Sequence, residues 1–256
     1  MEREKGRDLL NRIHKEYDVI PSVHNYCDRW CERCRLSHRC SVYLMEFERE
    51  RVREERNLPE PDFVEEMASI FADTMEMIRE MAEEQGINLD ELFDEEEVSA
   101  EISEKKRSRA DVRKHYLYRK ADEHSRWFRD WFQNRKEDVE KLKEILNADS
   151  NSTSDKLSDA NEVLLWFQHF IAVKFARALD PPFDDSPEAM YDNNGSAKIA
   201  IIAVDRCIQA ISTLLSFFPE DEDQFLTALV RLARIRKRAL KEFPDAMDFK
   251  RPGFDD

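Results

Sequence analysis

Four of the five cysteines lie between positions 27 and 40, in the run Cys27-Asp28-Arg29-Trp30-Cys31-Glu32-Arg33-Cys34-Arg35-Leu36-Ser37-His38-Arg39-Cys40. The spacing is C-x3-C-x2-C-x5-C. Thiolates are soft ligands that serve Zn²⁺ and iron–sulfur clusters alike. A helix face that merely needs small apolar side chains does not need four cysteines in so short a run. At 100° per residue, Cys27, Cys31 and Cys34 fall within about 60° of one another on an α-helix. Cys40 falls on the wrong side, so the chain must bend near Leu36–His38, or His24 or His38 must complete the set. Arg29, Arg33, Arg35 and Arg39 are expected to offset thiolate charge and lower the thiol pKa values. Cys27, Cys31, Cys34 and Cys40 are therefore the candidate ligands of a 4Fe–4S cluster or a Zn²⁺ ion with a structural or redox-sensing role. Cys207 stands alone in the sequence.

Two local resemblances bear on the metal. The run C-x2-C-x5-C at Cys31, Cys34 and Cys40 resembles the cysteine triplet of iron–sulfur RecB-like nucleases, over about ten residues. In that family the fourth cysteine sits far upstream with nuclease carboxylates between. Here Cys27 is four residues before the triplet, and no strand-borne Asp…Glu-x-Lys pattern follows. The resemblance thus implies cluster chemistry and not a nuclease. Cys27, Cys31 and Cys34 also look like the C-x3-C-x2-C of radical-SAM enzymes, but Arg33 replaces that family's usual aromatic and no β/α barrel is on offer.

Other residues are weighed against plainer roles. Gly195-Ser196-Ala197-Lys198 opens an apolar helix, where free N–H groups, a hydroxyl and an ammonium can hold a phosphate or carboxylate. Ser196 and Lys198 are the candidate cofactor-binding residues of such an anion pocket in an enzyme, although Ser196 also serves as a simple N-cap. Basic stretches at 105–120 and 231–241 suggest a nucleic-acid-associated factor. Trp127, Phe128, Trp131 and Phe132 follow the first of these, but their i,i+4 spacing is that of a core-facing stripe. His169 reads as a satisfied core histidine. Lys174, Arg177, Asp205 and Arg206 read as a buried ion network. No arrangement has the spacing of a nucleophile and its base, and Asp192-Asn193-Asn194-Gly195 reads as a turn.

The elements that carry these residues are helical throughout. The chain has 256 residues, a net charge of −15 and only 4 glycines. So few glycines exclude Gly-rich phosphate loops and doubly wound sheets, and the acidity excludes a protein that coats nucleic acid with its whole surface. Helical periodicity covers 2–17, 22–56 (through the cysteines), 62–85, 108–146, 160–179, 197–218 and a last helix ending before Pro244. The expected fold is all-α, a multi-helix bundle with an N-terminal cysteine-cluster helical segment. Three regions follow: a metal-binding segment 1–60, a helical region 61–146 with an acidic linker 83–104, and a C-terminal bundle 159–244. The polar stretch 147–158 is the expected boundary.

The first 20 residues lack the apolar core of a secretory signal, which points to a cytoplasmic, reducing setting where clustered cysteines bind metal. The apolar stretch 197–218 carries Lys198, Asp205 and Arg206, so it reads as a buried soluble helix and no membrane partner is expected. The expected partner is another protein or a second copy, with nucleic acid less favoured.

Overall fold

A computed structural model of the chain describes residues 6–57, 59, 62–89, 108–148, 152–180 and 187–255, and these contain helices and no strand. The fold is all-α, as the periodicity predicts. Two compact units divide it. The first comprises residues up to 104 together with the C-terminal residues 251–256, and the second runs from 105 to 250. The polar stretch 147–158 lies inside the second unit. Most of the acidic linker 83–104 falls outside the described residues.

In the first unit, helix α1 (Gly6–Glu16) lays Leu9 and Ile13 against Leu44 of α2 (Ser41–Glu55). A buried carboxylate, Glu48, completes this interface, accepting from Arg12 Nη1 at 2.9 Å, Arg51 Nη2 at 2.8 Å and Tyr17 Oη at 2.9 Å. Helix α3 (Phe63–Glu84) starts where Asp62 caps it by accepting from the Val64 N–H at 2.9 Å. Gly86, with φ +68°, takes the left-handed conformation just past its end, as expected of a C-terminal glycine.

The cysteines are not on an α-helix. The helix expected over 22–56 is confined to Ser41–Glu55, and residues 23–39 form three one-turn 3₁₀ segments, Val23–Tyr26, Cys31–Arg33 and Ser37–Arg39. Periodicity cannot separate these from an α-helix, because spacings of 3 and 4 suit both.

In the second unit a bend at His115 separates helical residues 108–114 from α4 (Tyr116–Ala148). Helices α5 (Ser152–Leu179), α6 (Pro187–Phe217) and α7 (Glu222–Glu242) follow, the last after a short 3₁₀ turn at Pro219–Asp221. Helices α5 and α6 share the most extensive interface. This suits two helices that are apolar nearly all round and so need neighbours on every side. Phe128 of α4, Phe167 and Phe175 of α5, Ile199 and Ile211 of α6 and Phe225 of α7 are fully buried between them. The Asp192–Phe217 part of α6 is long and apolar enough to cross a membrane, and half of its apolar window is buried inside the protein.

Candidate metal centre

The cysteine segment is a stack of tight turns. Ser22 and Arg29 hold left-handed backbone conformations (φ 59° and 61°), unusual for residues with side chains. The reversal at Arg29 lies between Cys27 and Cys31 and is supported by Asp28, whose Oδ1 accepts from the Trp30 N–H at 3.1 Å. The Cys34 N–H donates to Cys31 O at 3.1 Å, and the Cys40 N–H to Ser37 O at 3.1 Å. The Ile20 N–H donates to Arg39 O at 3.0 Å, closing the base of the loop. The third turn, Ser37–Arg39, is the bend that Cys40 requires.

These turns bring Cys27, Cys31, Cys34 and Cys40 to the wall of one cavity of about 20 Å³. His24 lines it too, and His38 does not. The apolar wall includes Val23, Trp30, Leu36, Tyr43 and, from the far end of the sequence, Phe254. Sequence reasoning missed this last contribution. Its one signal is Gly253: its φ of +72° favours glycine, and a Cβ there would meet the end of the Ile20 side chain at 2.7 Å.

Two sulfurs already have polar contacts. Cys27 Sγ donates to His24 O at 3.4 Å, and the Leu36 N–H donates to Cys34 Sγ at 3.4 Å. A backbone donor of that kind favours thiolate over thiol. Burial pushes the Cys31 thiol up to about 11, with the other three sulfurs and Glu32 adding to it. At Cys31 burial thus outweighs the lowering expected of the arginines, which are engaged elsewhere. Arg33 lies over the Trp30 ring at 4.1 Å, Arg35 donates to Phe254 O and Arg39 pairs with Asp18.

His24 is held below the usual imidazole range by burial and by the Arg29 charge. Its Nδ1 is buried without a hydrogen-bond partner. Among the described residues, no three His, Cys, Asp or Glu side chains stand as a ready-made ion cage. The cavity thus gathers soft donors along a wall without converging them on one point.

No protein-family model, no curated protein and no solved structure matches the chain. The residues themselves carry the functional argument.

Away from the cysteines, several expectations change. Helix α6 begins at Pro187, not after Gly195, so Ser196 and Lys198 sit inside a helix whose backbone N–H groups are committed. Lys198 Nζ donates to Phe249 O at 2.6 Å and to Met247 O at 3.2 Å. The expected anion pocket loses both its helix terminus and its ammonium. The core histidine is not His169, which is exposed and lies 2.9 Å from Ser125 Oγ through Nδ1. It is His124, with both ring nitrogens buried and unpartnered and its pKa pushed down to about 3 by burial and by Arg231.

The residues expected to form an ion network show several separate contacts. Arg177 pairs with Asp192 and Arg236 with Asp205, while Lys174 and Arg206 lie over Phe170 and Phe167. The two basic stretches do meet: Lys120, Arg231 and Arg234 line an open cleft of about 510 Å³. Glu123 and Asp223 line it with them, and Glu123 binds Lys120 at 2.6 Å and Arg231 at 3.4 Å.

Proposed function

We propose that the first unit is a metal-binding module in which Cys27, Cys31, Cys34 and Cys40 hold Zn²⁺ or an iron–sulfur cluster in a structural or redox-sensing role. The observation that carries this reading is four thiols on the wall of one small cavity, presented by three successive 3₁₀ turns. The donor chemistry fits, since four cysteines suit both metals. A volume of about 20 Å³ is room for one ion or one water. It therefore favours a single Zn²⁺, bound as the four sulfurs draw inward, over a cubane cluster. His24, with its buried unpartnered Nδ1, is the reserve ligand. Metal binding of this kind accords with a reducing, cytoplasmic setting, where thiols stay free of disulfides.

The deciding experiment is elemental analysis and absorption of anaerobically purified protein. One zinc or one cluster per chain, lost in a Cys31→Ser, Cys34→Ser variant, is the expected result. Metal-free protein with four alkylatable thiols at unchanged stability ends the reading.

A second reading rests on the cleft between α4 and α7, where the two basic stretches meet and a nucleic-acid strand can dock. Two carboxylates in that cleft weigh against it. Salt-dependent retention on nucleic acid, lost in a Lys120→Ala, Arg234→Ala variant, tests it.

A further inference from the structure

Helix α3 is turned the wrong way round for a lone helix. Its acidic edge faces the rest of its unit: Asp73 pairs with Arg49 at 3.2 Å, Glu80 with Arg7 at 3.5 Å and Glu84 with Arg7 at 2.7 Å. Its apolar stripe faces solvent. Phe63, Met67, Ile70 and Met81 are 74%, 52%, 37% and 53% exposed, and Phe71 and Ile78 beside them are 69% and 43% exposed. An apolar surface this continuous is normally covered.

The spacing identifies the kind of cover. Phe63, Met67, Ile70, Thr74, Met77 (half-buried) and Met81 step alternately by four and three, the a/d seam of a two-helix coiled coil. Val64, Phe71 and Ile78 fall at the e positions and widen the seam, while Glu66, Asp73 and Glu80 occupy every g position. From Phe63 to Met81 the stripe spans about 27 Å, five turns of a partner helix. Its methionines adapt to irregular partners.

Charge selects the occupant. Helix α3 carries seven acids and one base, Arg79; Asp73, Glu80 and Glu84 pair with Arg49 and Arg7 of their own unit, and Glu66 at the remaining g position keeps an acidic flank on the seam of a chain whose net charge is −15. A second copy brings the same acids to the seam, and an anionic membrane surface repels them. We infer that the exposed a/d/e face of α3 is a docking surface for a basic amphipathic helix of a partner protein, its Lys or Arg residues flanking an apolar seam. This inference is independent of the metal reading.

The test titrates the full-length protein with a fluorescently labelled synthetic helix of about 18 residues, with Leu at a and d and Lys at e and g. A twin peptide carries Glu in place of Lys. The Lys peptide is expected to bind and to slow hydrogen exchange within 63–84, with the Glu twin at least about tenfold weaker. Met67→Ser with Phe71→Ser is expected to weaken binding at least about tenfold while circular dichroism stays unchanged. If that variant unfolds, Phe63→Ser takes its place. Equal binding of both peptides, binding of neither, wild-type affinity in the variants, or protection of 63–84 by self-association without peptide each overturns the inference.

Discussion

Arg35 donates from Nη2 to the main-chain oxygen of Phe254 at 3.0 Å, a bond spanning 219 positions of sequence. It holds the C-terminal residues over the cysteine cavity, whose wall Phe254 completes. Arg251 and Asp255 pair at 2.8 Å and shape the same tail, with Arg251 also over the Phe254 ring at 5.0 Å.

Gly253→Ala tests whether this tail belongs to the site. The new Cβ meets Ile20 Cδ1 at 2.7 Å, and a φ of +72° is strained for alanine. The expected loss is about 1–3 kcal/mol of stability. Denaturant unfolding measures it. Alkylation of the cavity thiols should speed up in the same variant, since the tail covers them. Unchanged stability and unchanged alkylation show that the tail contributes nothing to the site.

The all-α class, the ends of α3 and the stop of α5 at Leu179 were legible because each rests on a local signal: period, an Asp cap, a trailing Gly, a pair of prolines. The cysteine cluster was legible as a set of residue types. Its geometry was not, because one-turn 3₁₀ segments leave the same spacing in the sequence as an α-helix. The start of α6 was misread for a related reason. Gly195-Ser196 looks like a helix start, yet the helix runs straight through it from Pro187. A buried interface on α5 outweighs the roughly 1 kcal/mol that a mid-helix glycine costs. Phe254 was barely legible: Gly253 marks a tight turn beside it, but no local rule links position 254 to position 31.

The two histidines near the cysteines separate by position. His24 lines the cavity and His38 lies outside it, so only the first is within reach of a bound ion. His24→Ala is expected to weaken metal retention about 10–100-fold, in the range seen when a supporting group of a metal site is removed. His38→Ala should leave it unchanged. Competition with a chromogenic chelator reads both. Equal effects of the two substitutions contradict the geometry.

Acid should weaken the two units to different extents. His124 of the second unit is buried and takes a proton only near pH 3, whereas an unfolded imidazole takes one near 6.5. Its folded pKa is depressed, so stability is full above about 6.5 and falls as pH drops from there toward 3, by an order of a few kcal/mol. Glu48 of the first unit is held down to about 2, mainly by its hydrogen bond from Arg51, against an ordinary 4.5. Its contribution is present above about 4.5 and is lost as pH falls through 2. His24 of the first unit is also held below its ordinary range by burial, so both units lose stability in the upper window, and the second, with the strongly depressed His124, should lose more. Hydrogen exchange at pH 7, 5 and 3 can follow amides in 163–176 and 44–52 separately. His124→Leu should flatten the upper window, because neither ring nitrogen has a partner to leave behind. An unaltered pH profile in that variant assigns the acid sensitivity elsewhere.

Lys198 separates a structural ammonium from a ligand-binding one. It is 7% exposed and donates to Phe249 O and Met247 O, so it closes backbone acceptors at the end of the second unit. Hydrogen bonds from a charged donor in such a place contribute about 1.5–3 kcal/mol. Lys198→Met keeps the length and apolar stem of the side chain and removes the charge. It should lower stability by about that amount and release the 245–249 segment to faster hydrogen exchange. An ammonium already committed to two carbonyls has little to offer an anion, and the backbone N–H groups around Ser196 are spent within α6. Inorganic phosphate at constant ionic strength should therefore leave the melting temperature of the unsubstituted protein where it is. A rise with phosphate that Lys198→Met abolishes would mean that the ammonium swings away from Phe249 to meet the anion. The segment 245–249 would then loosen on phosphate binding, which the same exchange experiment detects.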